Sequence, residues 1–491
     1  MPARPPAIAA RPAAIPGDEG LAQSPDLSVI RRYLPWVVAT SLFMEQLDST
    51  IVNTSIPAMA ASLRVSPLSL KAVVTSYILS LAISIPVSGW LAERFGTRRV
   101  FLSAVALFTA SSVLCGLSVS AGMLTAARVP QGVAAAMMMP IGRLALVRTF
   151  PKNELLAAMS FVIVPALIGP LLGPAVGGLI VHWLSWRDIF FVNVPVGAAA
   201  LWIGHRHMPD YRSDSPAALD LTGLLLFGSG AALLSWLLEI FGEHHLQAAP
   251  LLGLFLLAVG LLAAYGWHAR RTPHPLLRLS LFGTRTFRIS VLGGFVTRIG
   301  VGGMPLLMPL LYQLGMGLPA WQSGLLMMPM AAAAMTMKLI VTGLLRRYGY
   351  RRVLIVNTLL VAATIMAFAL IGPGAPLVAI IALGLSLGLF NSLQFSSMNS
   401  MAYADIEDAD AGMASALAST MQQMSLSFGL ACASLTAAFY LGSQPQTDPV
   451  AVTRALHRAF ITLAVLTAAS SLSFWTLRPR DGENVSRGTG G

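Results

Sequence analysis

The chain has 491 residues, of which 56% are hydrophobic and 11% charged, with a formal net charge of +12 and a mean hydropathy of +0.72. A soluble chain of this length ordinarily divides into domains with about a quarter of its residues charged. A soluble enzyme is therefore a poor account of the composition. The excess of positive charge belongs to loops, and no nucleic-acid partner is expected.

Residues 1–32 are rich in Pro and Ala and carry no long apolar core. They read as a disordered cytoplasmic tail, not as a secretory signal peptide. Apolar blocks of about 20 residues follow, the length that crosses roughly 30 Å of hydrocarbon as a helix. Helices satisfy their own backbone groups in lipid, and the short alternating segments of a β-barrel are missing. An all-α polytopic membrane protein is the expectation. Fourteen spans are predicted, near 34–55, 72–92, 100–119, 124–147, 156–183, 189–208, 220–241, 250–269, 288–312, 322–345, 353–372, 375–398, 412–441 and 457–477. Cys115 and Cys432 each lie inside an apolar block and suggest neither a disulfide framework nor a metal site.

Basic residues set the orientation. With the N-terminus in the cytoplasm, the inside segments carry Arg31, Arg32, Arg94, Arg98, Arg99, Arg148, Lys152, Arg206, Arg212, Arg270, Arg271, Arg278, Arg285, Arg288, Arg346, Arg347, Arg351, Arg352 and Arg478. The outside segments carry Arg64, Lys71, Arg187, Arg454 and Arg458. Both termini are then cytoplasmic. The loop ERFGTRRV from Glu93 returns 253 residues later as RRYGYRRV from Arg346. Repeated halves with a site between them near the midplane are a common plan for secondary transporters. The expected organisation is a tail (1–32), a six-helix half (33–208), a two-helix insertion with cytoplasmic linkers (209–286), a second six-helix half (287–478) and a cytoplasmic tail (479–491).

Charge in the middle of a membrane helix costs roughly 2.5–3.5 kcal/mol on insertion scales and is a functional candidate by default. Six residues qualify: Glu45 and Asp48, Arg128 and Arg143, Arg298, and Lys338. The spacing of Glu45 and Asp48 puts them about 60° apart on one helical face, with Ser41 and Asn53 on the same polar side. Two close carboxylates in a medium of low dielectric cannot both ionise cheaply, which suits a proton carrier; a structural pair locked to a cation is the plainer reading. Arg143 lies near the end of its block and reads better as snorkelling to the interface. By the repeat offset, Arg298 occupies in the second half the place of Glu45 in the first. Arg298 and Lys338 suit an anionic or zwitterionic substrate, or else a buried pair with Glu45 or Asp48.

Four stretches together carry a family resemblance covering essentially 33–478. They are LDSTIVNTSIP from Leu47, GWLAERFGTRRV from Gly89, RVPQGVAAAMMMP from Arg128, and GPLLGPAVGGLI from Gly169 followed by WRDIFFVNVPVG from Trp186. In this order the chain resembles the major facilitator superfamily, specifically its fourteen-helix drug–proton antiporter branch and a proteobacterial group of exporters within it. The resemblance implies two six-helix halves plus two inserted central helices. It also implies that Asp48 couples protons with Arg128 as its partner, protonation releasing the pair; a fixed salt bridge orienting two helices is the alternative. Glu45 departs from the neutral residue usual in that group, so its role as a second proton site or substrate contact rests on this chain alone. Gly89, Glu93, Arg94, Gly96, Arg98 and Arg99 are implied to form a gating loop, with Glu93 where the family usually has aspartate. They also serve topology. The second copy has Arg346 in place of Glu93. Gly169, Pro170, Gly173, Pro174 and Gly177 match the family's antiporter helix, where small residues pack closely and prolines allow bending. Asp188 replaces a common aromatic residue at the outer surface.

Later blocks add polar candidates for a substrate cavity: Asn391, Gln394 and Gln422, beside Ser396, Ser397, Asn399 and Gln423. Helix–helix hydrogen bonding explains them equally well. Met-rich stretches (Met137 to Met139; Met327, Met328 and Met330) suit an adaptable surface or plain packing, and the acidic run from Asp405 to Asp410 reads as a solvated loop. The sequence contains no GxxxxGK[ST], HExxH or suitably placed GxSxG motif, so an ion gradient, most simply protons, is the expected energy source. No enzyme activity, cofactor or metal is expected. Two functions compete: proton-driven export of drug-like or amphipathic compounds, and proton-driven export of an organic anion such as a carboxylate metabolite or its metal chelate. The expected setting is the bacterial inner membrane, with a small-molecule substrate, protons and the bilayer as partners and the chain as a monomer.

Overall fold

The computed structural model describes residues 25–213, 218–240, 248–407, 410–446, 448–478 and 481–482. The expected tail up to residue 24, most of the C-terminal tail, part of the acidic run and the side chain of Lys152 lie outside the described residues. The architecture is all helical. Six long helices come first: α1 (Pro25–Leu63), α2 (Lys71–Phe95), α3 (Thr97–Gly116), α4 (Ala121–Thr149), α5 (Lys152–Trp183) and α6 (Asp188–His207). A pair follows, α7 (Leu221–Ile240) and α8 (Ala248–Ala269). Six more complete the chain: α9 (Arg285–Gly315), α10 (Ala320–Tyr348), α11 (Tyr350–Leu370), α12 (Leu377–Ala402), α13 (Ala411–Leu441) and α14 (Pro449–Trp475).

Among the described residues, twelve helices are long and apolar enough to cross a membrane by length and composition. The two long helices outside that set are α1 and α4. Their middles hold Glu45, Gln46 and Asp48 in one case and Arg128 and Gln131 in the other, which lowers their hydropathy. α9 is interrupted by π-helical turns at Ile289–Gly293 and Leu311–Gly315, around a segment containing Pro305 and Pro309; such turns relieve local strain in the backbone ladder.

α1 packs along α5 and α6, α2 along α4, and α3 along α4 and α6. The later set repeats the plan, with α10 against α12, α11 against α14, and α9 against α13 and α14. The two sets meet chiefly where α5 crosses α10 and α2 crosses α13. The pair α7–α8 packs on itself and leans on α2 and α13.

One apolar cluster, from Ile51, Met59 and Val74 to Leu307, Tyr312 and Phe460, joins both sets at the helix ends remote from the termini. Hydrogen bonds cross the same seam. The Gln313 amide donates to the Thr54 carbonyl (2.9 Å) and Ser434 Oγ to the Leu68 carbonyl (3.1 Å). On the terminus side one cluster around Phe101 and Phe108 and another around Tyr350 and Phe474 belong to one set each, while a further cluster joins Val87 of α2 to Phe227 of α7 and to Ala414 and Leu417 of α13. Bonds there stay within one set or reach its linker: Arg31 to the Thr149 carbonyl, Arg285 to Asp481, Thr286 to Asp405. The fold is thus closed on the far side, and near the termini the two sets meet through α2, α7 and α13.

The linkers at the inserted pair are clasped by Asp220. Its carboxylate accepts from His268 Nε2 (2.7 Å), from the Gly223 amide (2.8 Å) and from the Leu276 amide (3.0 Å). Burial pushes this carboxyl upward, and those hydrogen bonds outweigh it, holding the group below the usual aspartate range.

Close packing of α5 and α10 depends on glycine. A Cβ at Gly324 would lie 2.1 Å from the Pro174 carbonyl oxygen, and one at Gly178 would lie 2.3 Å from that of Ala320. At Gly343, farther along α10, a Cβ meets nothing within 4 Å. Overpacking a tight contact costs about 1–3 kcal/mol. Gly324→Ala is therefore expected to lower the thermal unfolding midpoint of the purified protein by several degrees. Gly343→Ala leaves it unchanged or slightly raised, since alanine is the better helix former.

Candidate functional site

Asp48 is fully buried. Its backbone lies in the middle of α1, and two helices bring donors to its carboxylate. Arg128 Nη1 on α4 donates to Oδ2 at 2.5 Å. The amides of Gln131 on α4 and Asn193 on α6 donate to Oδ1 at 3.0 and 2.8 Å. Both amides also reach Ser112 Oγ on α3, at 2.9 and 3.2 Å. Arg128 is held further by Nε donation to the Val73 carbonyl (3.2 Å), by Nη1 donation to Gln131 Oε1 (2.7 Å), and by the ring of Tyr77, 4.2 Å from its Cζ. The spacing of Arg128 and Gln131 puts both on one face of α4, which is why one helix supplies two donors. The result is an ion pair inside a hydrogen-bonded cage, with no exposed surface on either partner.

Glu45, one turn earlier, is 7% exposed, and its Oε2 is buried without a hydrogen-bond partner. No ion pair includes it among the described residues. The structure thus separates the two carboxylates: Asp48 is fully partnered, whereas Glu45 is a buried acid that has no cation.

Arg298 on α9 is 3% exposed. Its Nη2 donates to Asn399 Oδ1 (3.2 Å), its Cζ lies 4.8 Å from the ring of Phe395, and its Nε is without a partner. It forms no ion pair with Glu45, Asp48 or any other carboxylate among the described residues. Lys338 is exposed on α10, next to the strongly exposed Leu339. Arg143 is exposed near the end of α4, as a snorkelling residue would be.

Gln394 lies within a second polar network. It accepts from Asn357 Nδ2 (2.8 Å) and donates to Thr358 Oγ1 (2.8 Å), joining α12 to α11. Its amide is thus engaged in helix packing. Asn391 is half-buried with an unpartnered Oδ1, and Gln422 is half-buried on α13.

The loop after α2 is stitched to the linker after α6. Thr97 donates through its amide to the Tyr211 carbonyl (3.1 Å) and through its hydroxyl to the Pro209 carbonyl (2.9 Å). Arg98 donates to the His205 carbonyl and, through its amide, to Asp210 (3.3 Å). Gly96 has φ +91°, a conformation side chains disfavour. A Cβ there would also meet Asp210 Oδ1 at 2.1 Å. Glu93, Arg94 and Arg99 are exposed, as is Gly89. In the later copy Gly349 repeats the conformation with φ +73°.

On α5, Gly169, Gly173 and Gly177 lie four residues apart and form one face against α1. Cβ atoms there would lie 2.8 Å from Gln46 Cβ, 2.0 Å from Thr50 Oγ1 and 2.6 Å from the Ile51 carbonyl. The stripe touches the side of α1 opposite the Asp48 cage. Pro170 and Pro174 are inside the helix.

Asn193, Gln131, Ser112 and Tyr77 were not singled out in the sequence as site residues. Gln131 and Asn193 do fall inside the two motifs RVPQGVAAAMMMP and WRDIFFVNVPVG, so motif position was the available signal. Ser112 and Tyr77 carried none.

The Major Facilitator Superfamily profile matches residues 38–430. The chain belongs to the major facilitator superfamily. A protein of Pectobacterium carotovorum provisionally named multidrug resistance protein MdtD is 41% identical over 452 residues, 90% of this chain and 95% of that one. The protein given the same provisional name in Serratia proteamaculans is 39% identical over 439 residues, 89% of this chain and 92% of its own. Among solved structures, a D-xylose–proton symporter superposes with TM-score 0.66 at 16% identity, covering 92% of this chain and 99% of that one. A peptide transporter in complex with sulfate superposes at 0.67 with 13% identity, covering 94% and 100%. These likenesses show the fold. The protein is a multi-pass membrane transporter, and its relatives are carriers rather than enzymes.

Breaking a buried ion pair from one side leaves an uncompensated charge and costs about 3–5 kcal/mol, while replacing both partners by apolar groups is often neutral. Arg128→Met alone is expected to lower the unfolding midpoint strongly. The double variant Asp48→Leu/Arg128→Met recovers most of the loss in a double-mutant cycle followed by thermal unfolding.

Proposed function

We propose that the protein is a proton-coupled antiporter that exports drug-like or amphipathic compounds by alternating access. Its setting is the bacterial inner membrane, with fourteen spans and both termini in the cytoplasm. The observation that carries this reading is the Asp48–Arg128 pair, buried and caged by Gln131 and Asn193. In a dry site the ionised pair holds α1 to α4 and α6. A proton on Asp48 removes its charge and weakens every donor bond to it at once, because charge-assisted bonds are roughly twice as strong as neutral ones. α1 is then less tightly held. Its opposite face rides on the glycine stripe of α5, which in turn crosses α10 at Gly178 and Gly324. A shift of α1 can thus reach the far-side closure through packed backbone, and protonation favours another arrangement of the halves. The provisional name of the MdtD relatives supports export of drug-like compounds. The basic residues of the terminus-side loops support the orientation.

Proton flux in proteoliposomes tests the assignment. Asp48→Asn is expected to abolish substrate-linked proton movement while the protein still inserts; coupling at the native level in that variant refutes the proton site.

A second reading has an observation of its own. Arg298 is a buried guanidinium with Asn399 and Phe395 as neighbours and no carboxylate partner among the described residues, which suits an organic anion such as a carboxylate metabolite or its metal chelate. Under this reading a labelled tricarboxylate is exported and Arg298→Gln lowers that export at least tenfold, as loss of a charge-assisted contact worth about 1.5–3 kcal/mol requires. Export of lipophilic cations without any tricarboxylate movement removes it.

A further inference from the structure

α3 and α6 lie side by side, and glycine sets how closely they approach. A Cβ at Gly197 would lie 2.0 Å from Thr109 Oγ1, and one at Gly204 would lie 2.9 Å from Leu102 Cδ2. Along the outer side of this seam runs a hollow of about 560 Å³. Leu102 and Ala106 of α3 and Leu201 of α6 give it an apolar floor, and the indole of Trp202, 62% exposed, stands beside them. His205 and Arg206, one turn further along α6, line its terminus-side end. Ser103 and Ala106 are exposed, so the groove opens on the outside of the bundle.

The basic end has charge to spare. Arg206 is exposed, with its Cζ 4.7 Å from the Trp202 ring, and it is in no ion pair among the described residues. Arg99 is one turn before Ser103 on the same face of α3; it is exposed and likewise in no ion pair among the described residues. The guanidinium of Arg98 donates to the His205 carbonyl, which brings a third cation to the same end. Asp210, which accepts from the Arg98 amide, is already paired with Arg212. Guanidinium groups match phosphate oxygens in geometry as well as charge, and an acyl chain suits the apolar floor. A zwitterionic headgroup would bring its ammonium toward Arg99 and Arg206. A soluble phosphate compound would leave the floor and the indole without contacts. Basic head and apolar body together fit a phospholipid of net negative charge.

We propose that the groove between α3 and α6 is a binding site for an anionic phospholipid. Its phosphate rests on Arg206 and Arg99, and an acyl chain lies along Leu102, Ala106 and Leu201 beside Trp202. The site does not depend on what the protein carries. Its occupant spans the two helices that bring Ser112 and Asn193 to the Asp48 cage, and so braces that cage from outside.

The test uses the full-length protein in phosphatidylcholine nanodiscs doped with brominated phosphatidylglycerol or brominated phosphatidylethanolamine. Bromine quenches a nearby indole, and the difference between the native protein and Trp202→Phe isolates the signal of Trp202. Phosphatidylglycerol is expected to quench Trp202 at a several-fold lower mole fraction than phosphatidylethanolamine. Arg206→Gln lowers that preference by about fivefold, the share of one basic residue near anionic lipid, whereas Arg206→Lys keeps most of it. Ala106→Phe, at an exposed position, fills the floor and lowers it as well. Arg271 stands over Trp267 in a similar way, at 4.0 Å, and Arg271→Gln leaves the preference of Trp202 unchanged. Phosphatidylglycerol also raises the thermal unfolding midpoint of the native protein by several degrees, and that of Arg206→Gln by less. Equal quenching by the two lipids means an ordinary lipid annulus and overturns the site. So does a native preference in Arg206→Gln, an equal loss in Arg271→Gln, or an equal rise of both midpoints. Displacement of the brominated lipid by glycerol phosphate alone assigns the basic end to a soluble anion and overturns it too.

Discussion

The structure depends on one buried ion pair. Asp48 and Arg128 have no exposed surface, and burying either charge without the other would be costly. Their mutual attraction is supplemented by Gln131, Asn193, Ser112 and the Val73 carbonyl, so that α1, α2, α3, α4 and α6 all contribute to one polar cage. Apolar packing alone discriminates weakly between helix arrangements in a membrane, because lipid is as apolar as leucine. A directional cage of this kind fixes rotation and depth for five helices at once.

Glycine does the complementary work. The α5–α10 contacts are backbone-to-backbone approaches, and the α1–α5 contacts press Gln46, Thr50 and the Ile51 carbonyl against glycines where a Cβ would collide. They place the glycine-contacting face of α1 and the closure between the two halves on one continuous path. α1 thus has the polar cage on one side and close helix packing on the other.

Much of this was legible in the sequence, for physical reasons. Apolar block lengths announce helices because the bilayer sets their length, and charged residues inside those blocks stand out because they are costly. Hence Asp48, Arg128 and the Gly169–Gly173–Gly177 stripe could be named from residue type and motif. The other partners of Asp48 could not. Asn193 and Ser112 are 145 and 64 positions away along the chain, and a serine or asparagine in a membrane helix is ordinary until the fold brings one to a carboxylate and the other to the amides that hold it. Arg298 and Lys338 looked alike in the sequence, yet one is buried against Phe395 and the other is exposed; helical rotation, set by packing, decided that. Gln394 looked like a cavity residue, but its amide is used by Asn357 and Thr358.

The repeated glycine turn has a consequence of its own. Gly96 and Gly349 share a left-handed backbone geometry, although Arg346 stands where Glu93 stands in the other copy. What the duplicated loop has preserved is therefore handedness at one α-carbon and the arginines around it, Arg94, Arg98 and Arg99 matching Arg347, Arg351 and Arg352, and not the carboxylate. Ancestry in this chain is written most durably in stereochemistry: a carboxylate can be exchanged once its partner changes, whereas a turn that only an achiral residue can make leaves nothing to exchange it for.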